Sequence, residues 1–322
     1  MHQPFGTGKR ILYGFDRILE LYSTYEGSCA FLLCGKELLV ELKKIGKIRT
    51  VDTYRNALGS FERFLNDRTG ISLEDMDSNL MIAYESWLKG TGVCPNTSSY
   101  YMRDLRAIYN RTVEQGFATQ QNPFKHVYTS IDKTKKRAVS LDVIREIRDL
   151  DLTKKSLTFA RDIFLFSFYT RGMSFVDMAF LKKQDLQNGI LAYRRNKTGQ
   201  QLFIKREKTM QELIDKYDTF DTPYLLPVIR NNGVDEWHQY QNAAHRINRN
   251  LKQIGKQIGL DIPLTTYVAR HAWASIAQSK NVPLSVISKA LGHNSEQTTR
   301  IYLSSLDTSV VDKANNLILM SI

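Results

Sequence analysis

No run of residues in this sequence approaches the roughly 18 consecutive apolar positions that a membrane-spanning helix needs. A secretory signal peptide is not expected, because Asp16 and Arg17 interrupt the only apolar stretch after Lys9 and Arg10. Cysteine is scarce. Cys29, Cys34 and Cys94 fit neither a disulfide framework nor a Cys-x-x-Cys metal knuckle, which points to a reducing cytosol. No glycine-rich phosphate loop is present: near Gly8-Lys9 the leading glycine is missing and Arg10 stands where a hydroxyl is needed, so NTP-driven chemistry is not expected. The six histidines (His2, His126, His238, His245, His271 and His293) form no ligand cluster, and His238 and His245 read as surface residues. There is no His-Glu-x-x-His, no Gly-x-Ser-x-Gly elbow and no acidic cluster of the kind that holds two metals. Neither a metal nor an organic cofactor is expected.

Acidic residues are the minority: 33 Asp and Glu against 45 Lys and Arg leave the chain at +12. Cutting the sequence after Ser140 leaves +5 on one side and +7 on the other, so the excess is not a basic tail. An extended anionic partner, most simply nucleic acid, fits that distribution. With 322 residues and 42% hydrophobic content, the chain is expected to fold as two domains with cores of their own.

Apolar residues recur at helical spacing through the first part. Leu32, Leu33, Leu38, Leu39 and Leu42 form one stripe, and Val51, Tyr54, Leu58, Phe61 and Leu65 a second. Leu80, Tyr84, Trp87 and Leu88 form a third, stopped by Gly90; Tyr101, Leu105, Ile108 and Thr112 form a fourth, stopped by Gly116. Residues 1–27 show little pattern and stay unassigned, 28–125 read as a helical domain, and 126–139 as a linker rich in Lys133, Lys135, Lys136 and Arg137. Residues 140–322 form the second domain. There Phe159 to Phe168 form an apolar helix ending at Thr170-Arg171-Gly172. Asn188-Gly189 is a hairpin signal, and a second hairpin turns around 195–199. The remaining pattern is helical at 235–258, 266–279, 283–291, 296–304 and 308–320. The fold class is thus mostly α with a small antiparallel β-sheet.

The second domain carries a scattered set of cationic and phenolic residues. They are Arg171; Lys197 in the hairpin turn; Tyr267-x-x-Arg270; Leu291-Gly292-His293; and Tyr302 nine residues beyond. Taken one at a time, each has an ordinary structural reading. In this order they resemble the tyrosine recombinases, or phage-integrase family, whose catalytic domain runs Arg, Lys in a β-turn, His-x-x-Arg, Leu-Gly-His and Tyr. The likeness extends upstream through Asn96-Thr97, Tyr101, Leu105-Arg106, Asn110, Gly116 and Asn122-Pro123-Phe124, which resemble that family's SAM-like core-binding domain. It spans about residues 28–306. Two positions depart from the pattern: Tyr267 replaces the first histidine, and Ser174 stands at the offset of the usual acid, with Asp177 three residues on as a structural partner.

The resemblance implies a site-specific recombinase, an integrase or invertase, that cuts and rejoins DNA through a 3′-phosphotyrosine on Tyr302 without metal or ATP. Arg171 and Arg270 would clamp the nonbridging phosphate oxygens, His293 would add a hydrogen bond and help handle the tyrosine proton, the Tyr267 phenol would donate to a phosphate oxygen, and Lys197 would protonate the leaving oxygen. Arg103, Arg106 and Arg111, with the basic linker, are candidate DNA contacts. The implied partners are double-stranded DNA with short core sites and further copies of the chain, as a tetramer. The implied setting is the cytoplasm, with no membrane. The C-terminal segment 308–320, with Val310, Val311, Ala314, Leu317 and Ile318 on one face, would pack on its own domain or dock on a neighbouring protomer. The other readings are a type IB topoisomerase-like enzyme, which shares the chemistry, and a non-catalytic DNA-binding protein of the same fold.

Overall fold

The computed structural model describes residues 30–66, 70–132, 138–219, 221–303, 315–316 and 318–320, except the side chains of Ile301 and Tyr302. The chain divides into two compact units, Met1–Thr134 and Lys135–Ile322.

The first unit is built from α1 (Phe31–Lys44), α2 (Ile48–Leu65), α3 (Ser78–Gly90) and α4 (Pro95–Glu114). These are the four stripes read from the sequence. Phe31, Leu38, Leu58, Phe61, Tyr84, Leu88, Leu105 and Ile108 meet in one buried core. Gly35 lets α1 approach α2, since a Cβ there would lie 2.7 Å from a Leu58 methyl. The core includes one satisfied polar pair, the Tyr84 hydroxyl donating to Ser60 Oγ at 2.8 Å. Asp77 caps α3 by accepting from the Leu80 N–H. The expected stop at Gly90 is displaced: Gly90 is the last helical residue, and Gly92, at φ 78°, makes the left-handed turn. The side-chain amide of Asn96 brackets the backbone of Asp132 from both sides, at 2.8 and 3.1 Å. Val127 belongs to this core and Val139 to that of the second unit. Cys94 is a free thiol, whereas Cys34 is disulfide-bonded, so the reading of the cysteines as outside any disulfide arrangement is corrected there.

In the second unit, α5 (Leu141–Asp149), capped by Ser140, leads to α6 (Lys155–Tyr169) and the short α7 (Phe175–Ala179). Strands β1 (Leu186–Gln187), β2 (Ile190–Arg194) and β3 (Gln201–Lys205) form an antiparallel sheet in the order β1-β2-β3. Asn188 and Gly189 both have positive φ, 51° and 74°, as a two-residue hairpin turn of the primed type requires. Period-two patterning turns Leu191 and Tyr193 inward, paired with Ile204 and Leu202. Then follow α8 (Lys208–Asp215), α9 (Glu236–Gln257), α10 (Thr266–Ser279), α11 (Leu284–Leu291) and α12 (Glu296–Leu303). Phe164, Ile247, Leu251, Val268, Ala272 and Leu191 join one core, so α6, α9, α10 and the sheet are fixed to each other. A smaller cluster of Ala274, Ile287, Leu291 and Leu303 seats α11 and α12 on α10. Residues 308–314 and Leu317 lie outside the described residues; Ile318, Leu319 and Met320 are exposed.

Candidate active site

The end of α6 is bent to present Arg171. Thr170 Oγ1 donates back to the Phe166 carbonyl at 2.7 Å, and the Gly172 N–H donates to the Ser167 carbonyl at 2.7 Å. This turn places two residues in the left-handed region, Arg171 at φ 59° and Gly172 at φ 74°. A side-chain-bearing residue pays a steric cost there, so the arginine is held by its surroundings rather than by its own preference. Its Nη1 donates to the Phe203 carbonyl on β3 at 3.3 Å.

Gly172 is required by what lies above it. A Cβ at this position would fall 2.8 Å from Arg270 Cα. That approach brings the Gly172 carbonyl to Arg270 Nη1, at 2.7 Å. Arg270 Nη2 donates to the Leu291 carbonyl at 2.6 Å and to His293 Nε2 at 3.2 Å. Arg270 is only 3% exposed, and among the described residues no carboxylate lies within ion-pair distance of it. A buried guanidinium balanced by two carbonyls and a neutral ring nitrogen leaves a strong positive potential, which favours an anion.

His293, 9% exposed, sits just past the left-handed Gly292 that ends α11. Its Nδ1 lies 2.8 Å from the hydroxyl of Thr299, a fully buried residue on α12. Since Arg270 can only donate, Nε2 must accept, and the proton of the neutral ring belongs on Nδ1. Burial, with Arg270, Arg195 and Lys197 adding their charges, lowers the imidazole pKa to about 4. At neutral pH the ring is therefore uncharged.

Lys197 is exposed on the turn between β2 and β3. The turn closes on itself through Arg195 N–H to the Gln200 carbonyl and Gly199 N–H to the Arg195 carbonyl, each at 2.8 Å. Asp177 Oδ1 accepts from the Asn196 N–H at 2.8 Å while its Oδ2 accepts from Ser174 Oγ at 2.5 Å. Asp177 thus holds the turn beside the lysine. On α10, Tyr267 is 55% exposed and its ring meets the His271 ring edge-on at 4.6 Å. The α10 N-terminus is fixed by Asn248 Oδ1, which accepts from the Thr266 N–H at 2.9 Å.

Electrostatics show which of these groups share one neighbourhood. The buried Tyr193 phenol is pushed above its ordinary range by desolvation and by Asp177, against the fields of Arg270, Arg195 and Arg171. Arg195 in turn feels Arg270, Asp177 and Tyr267. Arg171, Lys197, Tyr267, Arg270 and His293, more than 120 residues apart at the extremes, are thereby brought together with Arg195, which the sequence reading did not select. Thr299, also missed, ties α12 to His293; Tyr302 follows one helical turn later, its side chain lying outside the described structure. In the first unit, Arg106 and Arg111 are exposed on α4, and Arg103 is half-buried with its Nε donating to the Ser99 carbonyl at 3.4 Å. Lys133, Lys135, Lys136 and Arg137 lie outside the described residues.

A surface of fixed cations around a neutral imidazole suits a group that gathers negative charge as it reacts, a phosphoryl group above all. The phage integrase SAM-like domain matches residues 31–134, and the phage integrase family matches residues 141–309. The chain belongs to the phage integrase family, the tyrosine recombinases, enzymes that cleave and rejoin DNA. It is 23% identical to the tyrosine recombinase XerD of Listeria innocua, over 79% of this chain and 86% of that protein. It is 24% identical to XerD of Rhizobium meliloti, over 83% of this chain and 88% of the relative. Among solved structures it is similar to a lambda integrase tetramer bound to a Holliday junction, with a TM-score of 0.67 and 15% identity over 95% of this chain and 90% of that one. It is also similar to XerH recombinase bound to its difH substrate, with a TM-score of 0.58 and 18% identity over 86% and 83%. At these identities the structural likeness speaks to the fold.

Proposed function

We propose that this chain recombines DNA at specific sites, with Tyr302 as the nucleophile and Arg171, Lys197, Tyr267, Arg270 and His293 as the groups that serve it. The observation that carries this reading is the Arg270–His293 pair: a buried guanidinium with no carboxylate beside it among the described residues, 3.2 Å from an uncharged imidazole. Tyr302 Oη attacks the scissile phosphorus, the bond from phosphorus to the 5′ oxygen breaks, and a 3′-phosphotyrosine forms. The covalent ester conserves the energy of the broken linkage, so no nucleotide is consumed. A 5′-hydroxyl from a partner strand reverses the step and frees the tyrosine.

The roles follow from the environments. Arg270 and Arg171 oppose the charge that grows on the nonbridging oxygens, where planar guanidinium forks fit. When the Arg270 N–H that meets His293 Nε2 turns to the phosphate, that nitrogen is open to help handle the phenol proton, and the exposed Lys197 ammonium gives a proton to the departing 5′ oxygen. Tyr267, in the place of the family histidine, offers a phenol to a phosphate oxygen. Residues 28–125, with Arg103, Arg106 and Arg111, and the basic segment 126–139 grip the duplex, chiefly at phosphates. Residues 140–322 carry the chemistry. The substrate is double-stranded DNA with short core sites, the acting unit a tetramer, and the setting the cytoplasm; among the described residues no helix is long and apolar enough to cross a membrane.

The test is a supercoiled plasmid carrying the genomic DNA that flanks the coding sequence. Recombinant junctions, read by sequencing the products, are expected. Efficient relaxation with no exchanged junctions would replace this reading with that of a topoisomerase.

A further inference from the structure

Arg195 is a cation placed where a cation is costly. It is 5% exposed, and among the described residues its buried Nε has no hydrogen-bond partner and no carboxylate lies within ion-pair distance of it. Its Nη1 donates to the Gly292 carbonyl at 2.6 Å, across 97 residues of sequence. The same carbonyl accepts from Thr198 Oγ1 at 3.0 Å. These two donors flank Lys197, two residues before it and one after. Gly292 immediately precedes His293 and has no room for a side chain: a Cβ there would lie 3.0 Å from a Leu202 methyl and 3.1 Å from Arg195 Cδ. On the other side, Asp177 holds the Asn196 N–H.

We infer that Arg195 is a positioning residue: together with Thr198 it latches the Lys197 turn to the Gly292 carbonyl, so that the proton donor and the His293 loop are held in one register. A two-sided latch suits a lysine on an otherwise exposed hairpin tip, because general acid catalysis depends on the acid staying within hydrogen-bond reach of the oxygen it protonates. Without the latch the turn still closes through its own backbone bonds, and from the His293 side the exposed Gln200 Nε2 to Asn294 Oδ1 bond, 3.1 Å at the base of the hairpin, is left to restrain it. The inference rests on the proposed role of Lys197 as the acid.

That dependence sets the test. Single-turnover cleavage by the full chain is measured on two duplexes bearing the recombination site defined by its own products. One has the natural 5′ oxygen at the scissile linkage and the other has sulfur there. With sulfur, Tyr302 expels a thiolate, which leaves without a proton from the enzyme, thiols having a pKa of roughly 8.5. Lys197→Ala is the reference, expected to lose about 10²–10⁴-fold on oxygen and to recover most of it on sulfur. Arg195→Met is expected to lose about 10²-fold on oxygen, the scale of a misplaced catalytic group, and to recover on sulfur as the reference does. Thr198→Val, which removes the second donor while leaving Arg195 in place, should show a smaller loss with the same recovery. It carries the test alone if Arg195→Met does not fold.

If Lys197→Ala recovers while the variants with a defect stay equally slow on both substrates, Arg195 acts on the phosphate or on folding and the latch is overturned. Variants as fast as the unaltered chain on both substrates overturn it too. If Lys197→Ala itself fails to recover, the acid assignment falls first and takes the latch with it, so the two failures are told apart.

Discussion

Replacing Gly172 by alanine tests whether the turn after α6 exists to seat Arg270. Two costs can be separated. The first is conformational: at φ 74° an alanine pays about 1–2 kcal/mol whatever surrounds it. The second is local. The new Cβ would stand 2.8 Å from Arg270 Cα and 2.9 Å from its Cγ, and backbone cannot rotate away as a side-chain tip can. Overpacking of that kind costs about 1–3 kcal/mol. Displacing Arg270 also breaks its 2.7 Å bond to the Gly172 carbonyl, and a buried charged donor left unpaired costs about 1.5–3 kcal/mol. These losses share one displacement, so the total should reach about 3–5 kcal/mol rather than their sum. Gly189→Ala is the control: it has the same φ of 74°, nothing within 4 Å of its added Cβ, and a place on the far hairpin. Denaturant unfolding should show about 1–2 kcal/mol lost there and cleavage unchanged. Gly172→Ala should in addition lose about 10²-fold or more in single-turnover cleavage, because a shift of about 1 Å at Arg270 misplaces the charge. Equal stability losses in the two variants, with full cleavage in both, would refute the claim that Gly172 is there for Arg270.

His293 should titrate near pH 4 by NMR, and its contribution to stability has a definite sign. Its folded pKa lies below the ordinary 6.5, so the unfolded chain binds the proton more readily; stability is full above about pH 6.5 and is lost as the pH falls towards 4, by about 3 kcal/mol at 1.36 kcal/mol per tenfold difference. His293→Asn should flatten that window, and an unchanged pH profile of unfolding would contradict the assignment. Thr299→Val removes the Nδ1 partner and should lower cleavage about 10²-fold through the misplaced imidazole, with Thr299→Ser restoring it; failure of serine to rescue would point to packing instead. Affinity for target DNA should fall about 10³–10⁵-fold between 50 and 200 mM salt if six to ten phosphates are contacted, and a flat response in a binding titration would remove the basic residues from that role.

Long elements with sustained periodicity were legible in the sequence. Val51 to Leu65 repeats its apolar face over four turns, and α9 through α12 fall close to their expected ranges, because burying such a face decides helix placement. The Asn188-Gly189 hairpin was legible from local chemistry alone. What escaped was α7, whose five residues are too few for a period to emerge, and α5 and α8, whose buried faces rest on Ile144 with Ile147 and on Met210, too little to mark a stripe. The site divides similarly. Arg171, Lys197, Arg270 and His293 could be picked out because their order and spacing resemble the tyrosine-recombinase pattern, and the structure draws them to one place. Arg195 and Thr299 could not, since an arginine beside a turn reads as a solvated charge and a threonine in Gln-Thr-Thr-Arg as a surface residue. Their burial comes from Gly292 and His293, contacts that only the folded chain makes.

The central claim is that Tyr302 becomes covalently joined to DNA. The direct measurement incubates the full chain and Tyr302→Phe with a nicked duplex carrying the recombination site, then separates the products on a denaturing gel and maps the attached peptide by mass spectrometry. The account predicts a protein–DNA adduct at Tyr302 in the unaltered chain. For Tyr302→Phe it predicts nearly unchanged binding and no adduct, because one oxygen has been lost. An adduct that persists in Tyr302→Phe, or one mapped to another residue, would contradict it.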